Sequence, residues 1–225
     1  MHVRRGTWMV AAGTAIALLV GLFTLLESTG ATGANREHCA RLWAQSRARE
    51  QIVTGHGQRI VVIGDSYSVG LGLRHPEASW PSRLPGRVQV YGFSGSGFSR
   101  HSTSCASASY AARAPQAVRG GADLVVVEGG LNDYDQSAAA IRSGFRSLMR
   151  ELAGHHVLVV GPPPAPARAT AARRVDAVLR AESSRAHVRY LPMITESLPY
   201  LGDGIHPTLA GHVDFGNVVR RALVP

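Results

Sequence analysis

No lysine occurs anywhere in this chain, so all 24 basic residues are arginine, against 15 acidic ones, for a formal net charge of +9. The arginines are scattered, with only short pairs such as Arg173-Arg174. A nucleic-acid surface needs a clustered basic stripe with interleaved aromatics, and none is present, so no nucleic-acid partner is expected. Cysteine is nearly absent as well: Cys39 and Cys105 are the only two, and no CxxC or Cys/His cluster suggests zinc. His206, His212 and Asp214 lie six and eight residues apart, spacings that do not share one helical face. There is no phosphate-binding P-loop. Gly95-Ser-Gly97 is not followed by a glycine three residues later, so the dinucleotide fingerprint fails too. No cofactor and no metal are expected.

What is present is ordinary globular composition, 45% hydrophobic with a mean hydropathy of zero, at a length that suits one α/β domain behind a leader. Arg4 and Arg5 precede an uncharged, mostly apolar run over residues 6–26, which Glu27 ends. A positive segment followed by an apolar one marks a secretory signal, and this run approaches the ~20 residues that span a bilayer. Residues 1–34 are therefore read as a signal peptide or an N-terminal membrane anchor plus linker, with small residues at 31–34 for cleavage. Either way, residues 35–225 belong outside the cytoplasmic membrane, secreted or held at the cell envelope. In that compartment Cys39 and Cys105 are expected to form a disulfide, contributing on the order of 4 kcal/mol in the chain-entropy model.

Residues 36–50 have the pattern of a short amphipathic helix with Cys39, Leu42 and Trp43 on one side. Beyond them a β/α alternation begins. Strands are predicted at 59–64, 87–92, 123–128, 156–161 and 187–191, and helices near 67–74, 107–119, 136–153, 168–185 and 208–222. Short β-branched runs joined by helices indicate a parallel sheet covered on both faces. The expected fold is a three-layer α/β/α sandwich around a five-stranded parallel sheet, and the chain is expected to be a monomer.

In such sheets, ligands bind beyond the carboxyl ends of the strands. Those ends carry Gly64-Asp65-Ser66, Gly92-Phe93-Ser94-Gly95, Gly130-Leu131-Asn132-Asp133 and Asp203-Gly204-Ile205-His206-Pro207. A serine hydroxyl becomes a nucleophile when a base takes its proton and a third group orients that base. Ser66 at a strand-to-helix turn, His206 as base and Asp203 as orienting acid fit those roles. The Ser66 N–H, the Gly95 N–H and the Asn132 side-chain amide are candidate donors to an oxyanion. Ser68 is expected to point away along the helix, and Asp65 and Asp133 to bond loop backbone. Tyr67 could line an acyl pocket or pack beneath the first helix.

The four blocks, in this order over about residues 59–222, resemble those of the SGNH/GDSL hydrolases. The resemblance implies a flavodoxin-like sandwich and Ser66, Gly95, Asn132 and His206 as the four eponymous residues, with Asp203 as triad acid. It also implies hydrolysis of carboxylic esters, thioesters or acetylated sugars, with a small-molecule, lipid or carbohydrate ester as substrate. Two departures stand out: Val90 where an Asn is often found, and Asp-Ser-Tyr at the nucleophile in place of Asp-Ser-Leu or Asp-Ser-Ile. An acyl- or acetyltransferase acting on envelope carbohydrate would use the same triad, and a non-catalytic binding module would keep the same fold.

Overall fold

The computed structural model of the chain describes residues 33–224. The leader, including the run at 6–26, thus lies almost wholly outside the described residues. The chain divides into two compact units, Met1–Arg41 and Leu42–Pro225. In the first, residues 33–41 are helical; the second opens with helical residues 42–50. Neither Cys39 nor Cys105 is a free thiol, and both are disulfide-bonded. No helix of the described residues is long and apolar enough to cross a membrane.

The second unit holds a sheet of strands β1 (Val53–Thr54), β2 (Arg59–Gly64), β3 (Arg87–Gly92), β4 (Leu124–Glu128), β5 (Val157–Val160) and β6 (Arg189–Leu191). Their order is β1-β3-β2-β4-β5-β6. The sheet therefore has six strands where five were expected. The extra one, β1, pairs antiparallel with β3 through Val53 opposite Gln89 and Thr54 opposite Val88. Two residues are too few for a hydrophobic period to register, and an edge strand of this kind is made by backbone pairing alone. The other five strands are parallel, as expected.

Strands β2, β4 and β5 are nearly continuous runs of Val, Ile and Leu because helices cover both sheet faces. Alternate side chains feed two cores. Ile60, Val62, Val88, Val90 and Val126 pack with Trp80, Phe215 and Val219 on one face. Val61, Ile63, Val125, Val127 and Val159 pack with Tyr110, Phe145, Leu148 and Leu179 on the other. The helices after residue 50 are α1 (Ser66–Val69), α2 (Tyr110–Ala117), α3 (Ala138–Glu151), α4 (Ala169–Arg185) and α5 (Leu209–Leu223). Helix α1 is half the expected length, because Gly70 takes the left-handed conformation (φ 86°) and returns its N–H to the Ser66 carbonyl. Strand β2 lies between β3 and β4, so the chain reverses its direction across the sheet there. The carboxyl end of β2 is the crevice where an open α/β sheet takes ligands. Ser66 stands at that end.

Candidate active site

Ser66 is the first residue of α1, and little of it is exposed (6%). Asp65 caps the helix by accepting the Tyr67 N–H at 2.9 Å. Beneath the turn the packing leaves no room: a Cβ on Gly64 would run into the Ser68 side chain and the Glu128 carboxyl. Ser68, as expected, points away from the site, its hydroxyl donating to Glu128 Oε2 at 2.6 Å. The turn is held from the opposite side by Arg113 of α2, a guanidinium only 4% exposed. Its nitrogens donate to the carbonyls of Gly64 and Ala108, each at 3.0 Å, to the Tyr91 carbonyl, and to Ser96 Oγ at 2.9 Å. One side chain thus ties the ends of β2 and β3 to the loop that carries Gly95.

This bed concentrates titratable groups away from water. Burial raises Asp65 to about 6, against the Tyr67 N–H, the attraction of His206, the Tyr110 hydroxyl and Arg113. Glu128 stands well above the ordinary carboxyl range, first through burial and then through repulsion from Asp65. Asp133 is pushed up to about 7 by burial, although it accepts the Phe98 and Ser99 N–H groups at 2.9 and 2.8 Å. Burial lowers Arg113 to about 10. Each of these groups has a cost of desolvation that its hydrogen bonds offset in part.

The second half of the site is a single short turn. Asp203 Oδ1 accepts the N–H groups of Ile205 and His206, both at 2.9 Å. Its Oδ2 lies 2.6 Å from His206 Nδ1, and His206 Nε2 lies 3.1 Å from Ser66 Oγ. With the Nδ1 proton donated to Asp203, Nε2 is left as an acceptor for the Ser66 hydroxyl. Burial alone would raise Asp203, but the ring and the two backbone donors together hold it at about 2. The Leu201 N–H bonds the His206 carbonyl at 2.7 Å, and the Ala167 N–H bonds the Gly204 carbonyl at 3.0 Å. Pro207 precedes the cap of α5 and is not its first residue; Thr208 is the cap, accepting the Gly211 N–H at 3.2 Å.

Tyr67 resolves to the packing role. It is 1% exposed, lies against His212 and Phe215, and donates its hydroxyl to the Ile205 carbonyl. His212 is itself buried, accepting the Trp80 N–H at 3.4 Å, and burial lowers it to about 4.

Gly95 and Asn132 stand at the remaining strand ends. Gly95 has φ +84°, and a Cβ there would meet nothing within 4 Å, so its backbone borders open space. Asn132 donates from Nδ2 to the Ser96 carbonyl at 2.9 Å and to Asp65 Oδ2 at 3.2 Å, while its Oδ1 accepts from Arg168 at 3.0 Å. Ser66, His206 and Asp203 are thus joined by hydrogen bonds beyond the carboxyl end of β2, and Asn132 meets Asp65, the neighbour of Ser66, and the carbonyl of Ser96, the neighbour of Gly95. Arg113, Glu128 and Arg168 were not anticipated. Arg113 did carry a signal: it shares the stripe Tyr110, Ala114 and Ala117, where a charge is out of place.

Comparison with known proteins bears on the fold and the family. The model of the GDSL-like lipase/acylhydrolase family matches residues 62–213. No curated protein sequence matches significantly. Among solved structures, a carbohydrate acetylesterase from Sinorhizobium meliloti superposes with a TM-score of 0.62 at 19% identity, covering 74% of this chain and 98% of its own. An aryl esterase from M. smegmatis gives 0.59 at 21% identity, with 74% and 98% covered. An acetylxylan esterase from Geobacillus stearothermophilus gives 0.56 at 18% identity, with 74% and 94% covered. At these identities the likeness is one of fold, and the family match over most of the chain supplies the rest: this chain belongs to the GDSL-like lipase/acylhydrolase family of ester hydrolases.

Proposed function

We propose that the chain is an exported serine esterase in which Ser66 is the nucleophile, His206 the general base and Asp203 the group that orients it. The reading rests on one observation above the others: Nε2 of His206 lies 3.1 Å from Ser66 Oγ while Nδ1 lies 2.6 Å from Asp203. Ser66 Oγ attacks the ester carbonyl carbon as its proton passes to His206 Nε2. The tetrahedral oxyanion is met by the Ser66 and Gly95 N–H groups and the Asn132 amide. The C–O bond to the alcohol breaks, and His206 returns the proton to the departing alkoxide. Water then attacks the acyl-enzyme with His206 as base, and the carboxylic acid leaves with Ser66 restored.

Short acyl groups suit this site. The strand-end loops carry no long apolar insertion, and three solved relatives are described as carbohydrate acetyl-, acetylxylan and aryl esterases. Hydrolysis of p-nitrophenyl acetate and butyrate should exceed that of the palmitate. Ser66→Ala should lower kcat by about 10⁴-fold or more with the fold unchanged. Full activity in Ser66→Ala would sink the reading. Export is checked separately, by fractionation and N-terminal sequencing of the mature chain.

A further inference from the structure

Asn132 can serve an oxyanion only if its nitrogen, not its oxygen, faces the reacting carbonyl. The two ends of an amide are nearly the same shape, so packing alone does not choose between them. Arg168 does. It stands at the cap of α4, half-buried, and its Nη1 donates to the Leu131 carbonyl at 2.9 Å and to Asn132 Oδ1 at 3.0 Å. A guanidinium has donors and no acceptor. The atom of Asn132 that faces it must be the oxygen, and the amide nitrogen on the other end holds the Ser96 carbonyl and Asp65, one of which must give up or share its hydrogen when an oxyanion binds.

The guanidinium is itself held. Its carbon lies 4.2 Å from the centre of the Tyr134 ring, a cation–π contact. Its own segment is hooked to the catalytic turn by the Ala167 N–H on the Gly204 carbonyl at 3.0 Å. Positive charge at Oδ1 also draws electron density from Nδ2, strengthening the donor that the transition state needs.

From this geometry we infer that Arg168 is a positioning residue for the ester hydrolysis: with the Ser96 carbonyl it holds the Asn132 amide in the one orientation that can serve the oxyanion, and it polarises the nitrogen end. The inference rests on the proposed triad, and its test separates the two.

The experiment is a double-mutant cycle on p-nitrophenyl acetate with Asn132→Ala, Arg168→Met and the pair, beside Ser66→Ala in the same assay. Asn132→Ala should lower kcat by about 10²–10³-fold, and Arg168→Met by about tenfold or more but no further than Asn132→Ala, each with little change in KM. The pair should fall within about threefold of Asn132→Ala alone, because Arg168 acts only through that amide. Arg168→Lys, which also offers only donors, should recover part of the loss, while Arg168→Gln, which can present an oxygen, should not. Thermal unfolding of each variant reports folding directly. Should Arg168→Met fold poorly, Tyr134→Ala, which removes the ring under the guanidinium, is expected to lower kcat in the native background and not in Asn132→Ala. Multiplying effects in the pair, a loss confined to KM, or recovery by Gln equal to that by Lys would each overturn the inference. If Ser66→Ala is inactive while the cycle is multiplicative, the triad stands and only the role of Arg168 falls.

Discussion

Around Ser66 the molecule is dry, and around His206 it is wet. The Ser66 turn sits on Asp65, Glu128, Asp133 and Arg113, all buried, whose hydrogen bonds reach into strands β2 and β3 and the loops beyond them. The Asp203–His206 turn closes mostly on itself: Asp203 makes two backbone bonds and one ring bond within it, its side chain is 44% exposed, and the turn is held from outside at two carbonyls, by the Ala167 N–H and the Tyr67 hydroxyl. One half of the site is positioned almost wholly by the buried fold, the other mainly by bonds within its own loop. Damage to the exposed turn should therefore cost chemistry without stability, and damage to the buried bed should cost stability first.

The largest expected effect lies on the wet side. His206→Ala should lower kcat by about 10⁴-fold or more, with Tm moving by no more than about 2 °C. Asp203→Asn should follow at about 10³–10⁴-fold, since the ring loses the acceptor that fixes its tautomer. Calorimetry alongside steady-state kinetics checks both; a collapse of Tm in either variant would show that the base turn is part of the fold's support. On the dry side, Arg113→Met removes the donor from three buried carbonyls and from Ser96. Urea unfolding should register a loss of about 2–4 kcal/mol, the orphaned acceptors outweighing the relief of a desolvated cation. Native stability in that variant would mean the clamp is dispensable.

A further effect is in pH dependence. Asp133, raised to about 7, keeps a proton in the folded protein that the unfolded chain releases near its ordinary value of about 4. Its contribution is full below about pH 4 and is lost as pH rises through about 7, with a slope of at most about 1.4 kcal/mol per pH unit. Asp133→Asn removes that slope, so its penalty should shrink as pH rises. Urea titrations at pH 5, 6 and 7 at one ionic strength measure it, and a penalty that grows with pH would contradict the assignment.

How far the site could be read from the chain alone follows the same division. Strands β2 and β3 were legible to the residue, because β-branched runs bounded by glycine admit few alternatives. Ser66, Asp203 and His206 were legible because strand ends in a parallel sheet are where polar residues gather. Strand β1 was not, being too short to show a period. The roles of Arg113 and Glu128 were hidden for another reason: a charge in the chain reads as solvated until its partners are known, and those of Arg113 lie on β2, on β3 and in the loop after β3. Arg168 was hidden likewise, because its meaning depends on facing one particular amide oxygen.

The hydroxyl of Tyr67, resting on the carbonyl of Ile205, has a consequence in time. It joins points 138 residues apart along the chain, and the adjoining Ser66–His206 contact spans 140. Long-range contacts of this kind close late, after helices and neighbouring strands have formed locally. In a refolding experiment, helical circular dichroism should therefore recover before ester turnover does. Turnover then acts as a clock for the final closure, and a chain caught partway through folding is inert however much helix it has made.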